Sequence, residues 1–231
     1  MPPETPPSPT AGAPSSSLPV ALLVTGASGS RLALHLLRAL AAAPGVDRLH
    51  LVVSAGASQV LRHELGVEQP GARTLLAAAA LAPTAAAKVV VHRDSELDAA
   101  ISSGSYRLAG TAVVPCSAAT LGALATGAGG TLVHRAGAVA LKERWPLVLG
   151  FRETPLGIVH LENLRRLAYG GAVILPPIPA FYVERPGEPN DGADPLERFL
   201  DAYALRVLDH LGVAAAVGNP GLRWGEPPPA P

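Results

Sequence analysis

The sequence predicts an α/β domain built on a parallel sheet with helices on both faces. Two observations lead there. Apolar runs alternate with amphipathic ones, and the apolar runs lack the polar alternation of a half-exposed strand, as buried parallel strands require. Small-residue turns follow several of these runs, and such sheets hold their ligands beyond the carboxyl ends of the strands.

Val20–Thr25 is the first strand, followed by the turn Gly26-Ala27-Ser28-Gly29. A helix with Leu32, Leu36, Leu37 and Leu40 on one face comes next, and Pro44-Gly45 ends it. Leu49–Val53, Lys88–Val91, Thr111–Val114, Pro146–Phe151 and Ala172–Leu175 are the later strands. Helices are predicted over Ala57–Leu65, Leu121–Thr126, Arg135–Glu143, Ile158–Ala168 and Pro195–Leu211. Residues 1–18, rich in Pro, Ser and Ala, cannot bury enough apolar surface to order themselves and predict a disordered tail. Residues 19–213 form a single domain, and 214–231 are a second tail.

Composition narrows the function. With 231 residues and 48% hydrophobic content, the chain can bury a full core. Its 18 basic and 18 acidic residues give no electrostatic case for nucleic acid or an anionic membrane. One cysteine, Cys116, rules out a disulfide framework, and the seven histidines show no metal-ligand spacing, so no metal is expected. No apolar run reaches the length of a membrane span and the N-terminus lacks a signal pattern, which predicts a soluble cytoplasmic protein.

The candidate chemistry sits at the predicted strand ends. Gly26–Gly29 suits either a phosphate approached by backbone N–H groups or a tight turn that needs glycine. The third glycine of a dinucleotide fingerprint is absent, and the second strand ends in Ser54 where a ribose-binding acid would stand, which favours a mononucleotide or flavin phosphate over NAD. Ser117 and Thr120 offer hydroxyls at a helix start, compatible with both capping and ligand binding. Cys116 suits a small buried residue better than a nucleophile. Pro176–Tyr182 is either a wall over the sheet edge or an apolar pocket rim with a phenol. Taken alone, Arg206 between core leucines suits a surface residue, Glu64 an ordinary surface carboxylate, and His160–Asn163 a structural helix start. Between Arg135 and Glu153 the chain carries Arg135, Lys142, Arg152 and Glu153, and Lys142 is one of only two lysines. Converging at a strand end, three cations and one acid would suit a phosphorylated substrate that also exchanges a proton.

Together these segments resemble the flavin prenyltransferases, the UbiX/Pad1 family within the homo-oligomeric flavin-containing cysteine decarboxylase superfamily. The likeness runs over about residues 20–213 and rests on Thr25–Gly29, Ser102–Tyr106, Pro115-Cys116-Ser117 with Thr120, and Ala140–Arg144. Arg152–Pro155, His160–Asn163, Gly171–Pro176, Pro179–Tyr182 and Arg223–Glu226 continue it. The resemblance implies a Rossmann-like (flavodoxin-like) domain in a homo-dodecamer with sites at subunit junctions. It implies transfer of the dimethylallyl group of dimethylallyl phosphate to N5 and C6 of reduced FMN, without a metal, to make prenylated FMN for a UbiD-type decarboxylase.

By position, the resemblance implies that Gly26, Ala27, Ser28, Ser54, Ser117, Ala118, Ala119, Thr120, Arg135 and Arg152 hold FMN. Lys142, Arg152, Glu153, Tyr182 and Arg206 would bind dimethylallyl phosphate, and Ser28, Glu64, Lys142 and Glu153 would be catalytic. The chain departs from the family pattern at Arg31, His134, Gly137 and Gly150-Phe151. The alternatives are an FMN-dependent cysteine decarboxylase and a non-catalytic flavin-binding subunit. The first would carry an Ala-Ser-Ala-Asn loop, a catalytic histidine and a Met-containing flap. Here the loop is Cys116-Ser117-Ala118-Ala119 and Met1 is the only methionine. The second would have lost Lys142, Glu153 or Tyr182, and all three are present.

Overall fold

The computed structural model describes residues 17–180 and 194–215. Most of both predicted tails, Tyr182 and the Arg223–Glu226 ending lie outside the described residues. Six strands form one sheet: β1 (Leu18–Val24), β2 (Val46–Val53), β3 (Val89–Arg93), β4 (Gly110–Cys116), β5 (Leu147–Phe151) and β6 (Val173–Ile174). Their order is β3-β2-β1-β4-β5-β6, with every pairing parallel. The chain reverses its direction of winding between β1 and β4, so a crevice opens there at the carboxyl ends.

The helices are α1 (Ser30–Ala42), α2 (Ala55–Leu65), α3 (Ala72–Ala79), α4 (Pro83–Ala86), α5 (Ala118–Thr126), α6 (Leu132–Glu143), α7 (Ile158–Tyr169) and α8 (Pro195–Leu211). The central strands β1 and β4 are buried along nearly their whole length, as their unbroken apolar sequences require. One core joins β1, β2, α1, α3 and α8, and a second joins β4, β5, α5 and α6 on the other face. The alanine-rich α3 and the one-turn α4 were not among the predicted helices, because alanine gives no polar–apolar contrast to mark a face.

Two departures from the family pattern have structural causes. Arg31, in the first turn of α1, pairs with Glu197 and reaches Asp194 at 3.7 Å, tying the start of α8 to the start of α1. Buried His35 extends this clasp, with Nδ1 2.7 Å from Asp201 and Nε2 3.0 Å from Glu197. Gly150 faces the Tyr203 hydroxyl, which would lie 2.5 Å from any Cβ there. That hydroxyl donates to the Leu175 carbonyl at 2.7 Å, so a larger residue at 150 would displace a buried hydrogen bond.

Cys116 is fully buried, as expected of a small core residue, and burial pushes its thiol up to about 12. A polar chain crosses the interior beneath α6. His50 Nε2 lies 3.0 Å from the Tyr106 hydroxyl, and His50 Nδ1 lies 2.8 Å from His92 Nε2. Among the described residues no helix is long and apolar enough to cross a membrane.

Candidate active site

A cleft of about 540 Å³ lies over the β1/β4 reversal, within the range of roughly 300–1,000 Å³ usual for small-molecule sites. Five strand ends and one helix start build it. Gly26, Ala27 and Ser28 follow β1, Ser54, Ala55 and Gly56 follow β2, and Asp94 follows β3. Ser117–Thr120 follow β4, Arg152 and Glu153 follow β5, and Thr131, Val133 and His134 come from the start of α6.

The loops are fastened to one another. The Thr25 hydroxyl donates to the Pro115 carbonyl and accepts the Ser117 amide, both at 2.8 Å, so the β1 and β4 loops move as one. A Cβ on Gly26 would sit 3.1 Å from the Gly56 carbonyl carbon, so the β1 and β2 turns touch through bare backbone. Gly26 is therefore required by packing, while Ala27 and Ser28 face the cleft. The reading of this turn as one that needs glycine is borne out.

The free backbone donors belong to α2 and α5. Ser54 caps α2 by accepting the Ala57 amide at 3.1 Å, and Ser117 caps α5 by accepting the Thr120 amide at 3.3 Å. The Ala55, Gly56, Ala118 and Ala119 amides have no protein partner among the described residues. Two helix N-termini thus present unsatisfied N–H groups to one cleft, an arrangement that attracts an anion. Arg152 adds a cation whose buried Nε has no partner among the described residues. An orphaned guanidinium nitrogen beside four free amides and the Ser28, Ser54 and Ser117 hydroxyls fits a phosphate-bearing ligand such as FMN.

The α1 N-terminus is already occupied. Both Glu64 oxygens accept the Gly29 amide at 3.1 Å, and Oε2 accepts the Ser30 amide at 2.6 Å. Burial alone would raise this carboxyl's pKa, but bonds from the Ser28 hydroxyl and from Ser30 and Gly29 outweigh it. They hold the group below its usual 4.5. Glu64 therefore stands behind the loop, where it fixes Ser28, and does not line the cleft.

Of the sequence-derived candidates, the cleft brings together Gly26, Ala27, Ser28, Ser54, Ser117, Ala118, Ala119, Thr120, Arg152 and Glu153. It does not bring in Arg135, Lys142 or Arg206. Arg135 is exposed and donates from Nε to the Ser102 carbonyl at 2.9 Å. Lys142 pairs with Glu143 and lies over Gly104. It is nine residues beyond Val133 on α6, about 14 Å along the axis at about 1.5 Å per residue. The three cations expected to converge with Glu153 do not do so within one chain. Arg206 is exposed on α8. Tyr182 lies outside the described residues.

Asp94, Thr131, Val133 and His134 entered the cleft without being foreseen. Asp94 follows β3, an edge strand whose end was left out of the search. The α6 residues were missed because that helix starts at Leu132, three residues before the predicted Arg135. Among the described residues no group of three or more His, Cys, Asp or Glu is placed to hold a metal ion.

The profile of the family described as Flavoprotein matches residues 10–193. The flavin prenyltransferase UbiX of Deinococcus radiodurans is 40% identical over 205 residues, covering 88% of this chain and 91% of that protein. The crystal structure of AnUbiX (PadA1), solved in complex with FMN and dimethylallyl pyrophosphate, is 35% identical with a TM-score of 0.69. The match covers 84% of this chain and 92% of that one. A dodecameric protein from Escherichia coli O157:H7, described as an FMN-dependent UbiX-like decarboxylase, is also 35% identical, with a TM-score of 0.70. There the match covers 86% of this chain and 97% of that one. With the fold, the phosphate-ready cleft and relatives matched over most of their length, the chain belongs to the UbiX flavin prenyltransferase family.

Proposed function

We propose that this protein transfers the dimethylallyl group of dimethylallyl phosphate to N5 and C6 of reduced FMN, and that the prenylated FMN serves a UbiD-type decarboxylase. The observation that carries this is the pairing of free α2 and α5 amides with the unpartnered Arg152 Nε in one cleft. FMN supplies the nucleophilic acceptor atoms when bound, and AnUbiX binds both FMN and a dimethylallyl donor.

The chain's own residues then divide the work. Gly26, Ala27, Ser28, Ser54, Ser117–Thr120 and Arg152 hold the nucleotide in the cleft. Glu64 keeps the Ser28 hydroxyl in place through its bonds to Ser28, Gly29 and Ser30. Glu153, with Oε1 on the Thr154 amide at 3.0 Å, presents a carboxylate at the cleft for proton exchange.

The leaving phosphate of the donor needs cations. Breaking the allylic C–O bond concentrates negative charge on that phosphate, so preplaced cations stabilise the transition state more than the ground state. Arg135 turns to the Ser102 carbonyl, and Lys142 lies over Gly104, roughly 14 Å of helix beyond the Val133 that lines its own chain's cleft. We assign them, with Arg206, to the cleft of a neighbouring copy in a homo-oligomer, and we propose Tyr182 as a further donor-binding residue. The E. coli relative is dodecameric, which supports such sharing.

Anaerobic incubation with reduced FMN and dimethylallyl phosphate, followed by mass analysis of the flavin, tests this reading. A flavin heavier by one dimethylallyl unit is expected. Unmodified flavin with both the monophosphate and the diphosphate donor would overturn it.

A further inference from the structure

The α6 wall of the cleft carries two side chains that the nucleotide-holding set does not use. Asp94 Oδ1 accepts the Val133 amide at 2.9 Å, which places its carboxylate at the first turn of α6, next to His134. Both line the cleft. The backbone donors of this turn are all taken: the Leu132 amide donates to the Asp94 carbonyl at 2.7 Å, and the His134 amide to the Thr131 hydroxyl at 3.5 Å. In contrast to α2 and α5, this helix start offers an anion nothing. An anionic group beside the Asp94 carboxylate would also be repelled, so the wall faces a different part of the ligand.

The imidazole of His134 is built in with care. Its Nδ1 lies 3.2 Å from the Thr131 hydroxyl, and a Cβ on Gly129 would fall 2.3 Å from the His134 Cβ. Glycine at 129 therefore lets the ring lie flat against the loop. The Thr131 oxygen accepts the His134 amide and its contact with Nδ1 fixes the ring's orientation; where the hydroxyl donates to Nδ1, the ring proton sits on Nε2. Nε2 has no partner among the described residues, and neither has Asp94 Oδ2. The wall thus presents one acceptor and one donor side by side.

We propose that Asp94 and His134 read the imide edge of the bound flavin, with the Asp94 carboxylate accepting the ring N3–H and His134 Nε2–H donating to an adjacent ring carbonyl. This rests on the cleft being the FMN site. An imide presents that donor–acceptor order, and buried groups left unpaired by an altered edge would discriminate against it. The chain's Thr131, His134 and Gly129 form one unit: the hydroxyl orients the ring, and the glycine admits it.

The test is fluorescence titration of the full chain with oxidised FMN and with 3-methyl-FMN, which lacks the N3 proton. Wild type is expected to bind FMN about 10-fold more tightly than 3-methyl-FMN. Asp94→Asn keeps an oxygen for the Val133 amide and should weaken FMN by about 10-fold or more while losing the preference between the two flavins. His134→Ala should weaken FMN by about 3- to 10-fold, and His134→Gln should restore much of it through its amide donor. Unchanged melting temperatures would show that α6 remains capped. Equal binding of both flavins by wild type, or equal loss of both flavins in Asp94→Asn, would overturn the proposal. Because the titration needs no turnover, a protein that binds FMN without prenylating it would fail the proposed reaction alone. A wild-type chain that binds neither flavin would overturn both.

Discussion

Glu64 Oε2 accepts the Ser30 amide at 2.6 Å across 34 positions of sequence, filling the α1 N-terminus with an internal carboxylate. The consequence reverses a simple expectation about the Gly26–Gly29 turn. The helix that follows this loop does not offer its first amides to the ligand, since Glu64 holds them and, through the Ser28 hydroxyl, sets the face the loop shows to the cleft.

Replacing Glu64 with Gln keeps the size and removes the charge. We expect a loss of about 1 kcal/mol and a melting temperature lower by about 2–4 °C at pH 7. The folded pKa lies below the usual 4.5, so this stabilisation is fully present above pH 4.5 and is lost as pH falls through the folded value. Thermal denaturation from pH 7 to pH 3 should show the wild-type and Glu64→Gln curves merging at the acid end. A constant offset across that range would contradict the assignment.

The Tyr106–His50–His92 chain makes a second pH prediction with a different window. Burial, then His92 and Arg48, lower the His50 pKa from 6.5 to about 4. His92 is lowered too, by burial, with Glu96 opposing. The unfolded chain takes up these protons first. Stability from the neutral pair is therefore complete above pH 6.5 and declines as pH falls from 6.5 towards 4. His50→Gln should melt lower than wild type at pH 7.5 and lose less stability between pH 6.5 and 4.5. An unaltered slope in that variant would assign the acid sensitivity elsewhere.

Arg152 brings a buried Nε, unpartnered among the described residues, to the cleft, and a ligand phosphate would satisfy it. Arg152→Ala is expected to weaken FMN binding by about 10- to 100-fold, the worth of a charge-assisted hydrogen bond. Riboflavin, which lacks the phosphate, should lose much less. Titration of both ligands against both proteins checks this, and equal losses would place Arg152 on the ring and not the phosphate.

Much of this was legible in the sequence, for physical reasons. Parallel strands buried on both faces read as unbroken apolar runs, so β1, β2, β4 and β5 were found with their ends correct to a few residues. Ser54 and Ser117 stood out because caps and phosphate ligands are drawn from the same residue types. What stayed hidden depended on three dimensions. Asp94 caps a helix 39 positions away, and nothing local marks it. His134 belongs to the cleft because α6 starts at Leu132, whereas the apolar pattern placed that start at Arg135. Arg135 and Lys142 looked like partners of Glu153 because they are near it in sequence. The helix between them carries Lys142 away from its own chain's cleft, which is why we propose that it serves a neighbouring copy.

That sharing of one site between copies is most directly tested by complementation. Lys142→Ala and Arg152→Ala chains, each with its own tag, would be co-expressed, purified through both tags and assayed anaerobically for prenylated flavin by mass. Each variant alone should be nearly inactive. Mixed oligomers should regain activity, because some clefts then combine an intact Arg152 from one copy with an intact Lys142 from its neighbour. Mixed oligomers no more active than the single variants would show that Lys142 and Arg152 serve the same chain's cleft.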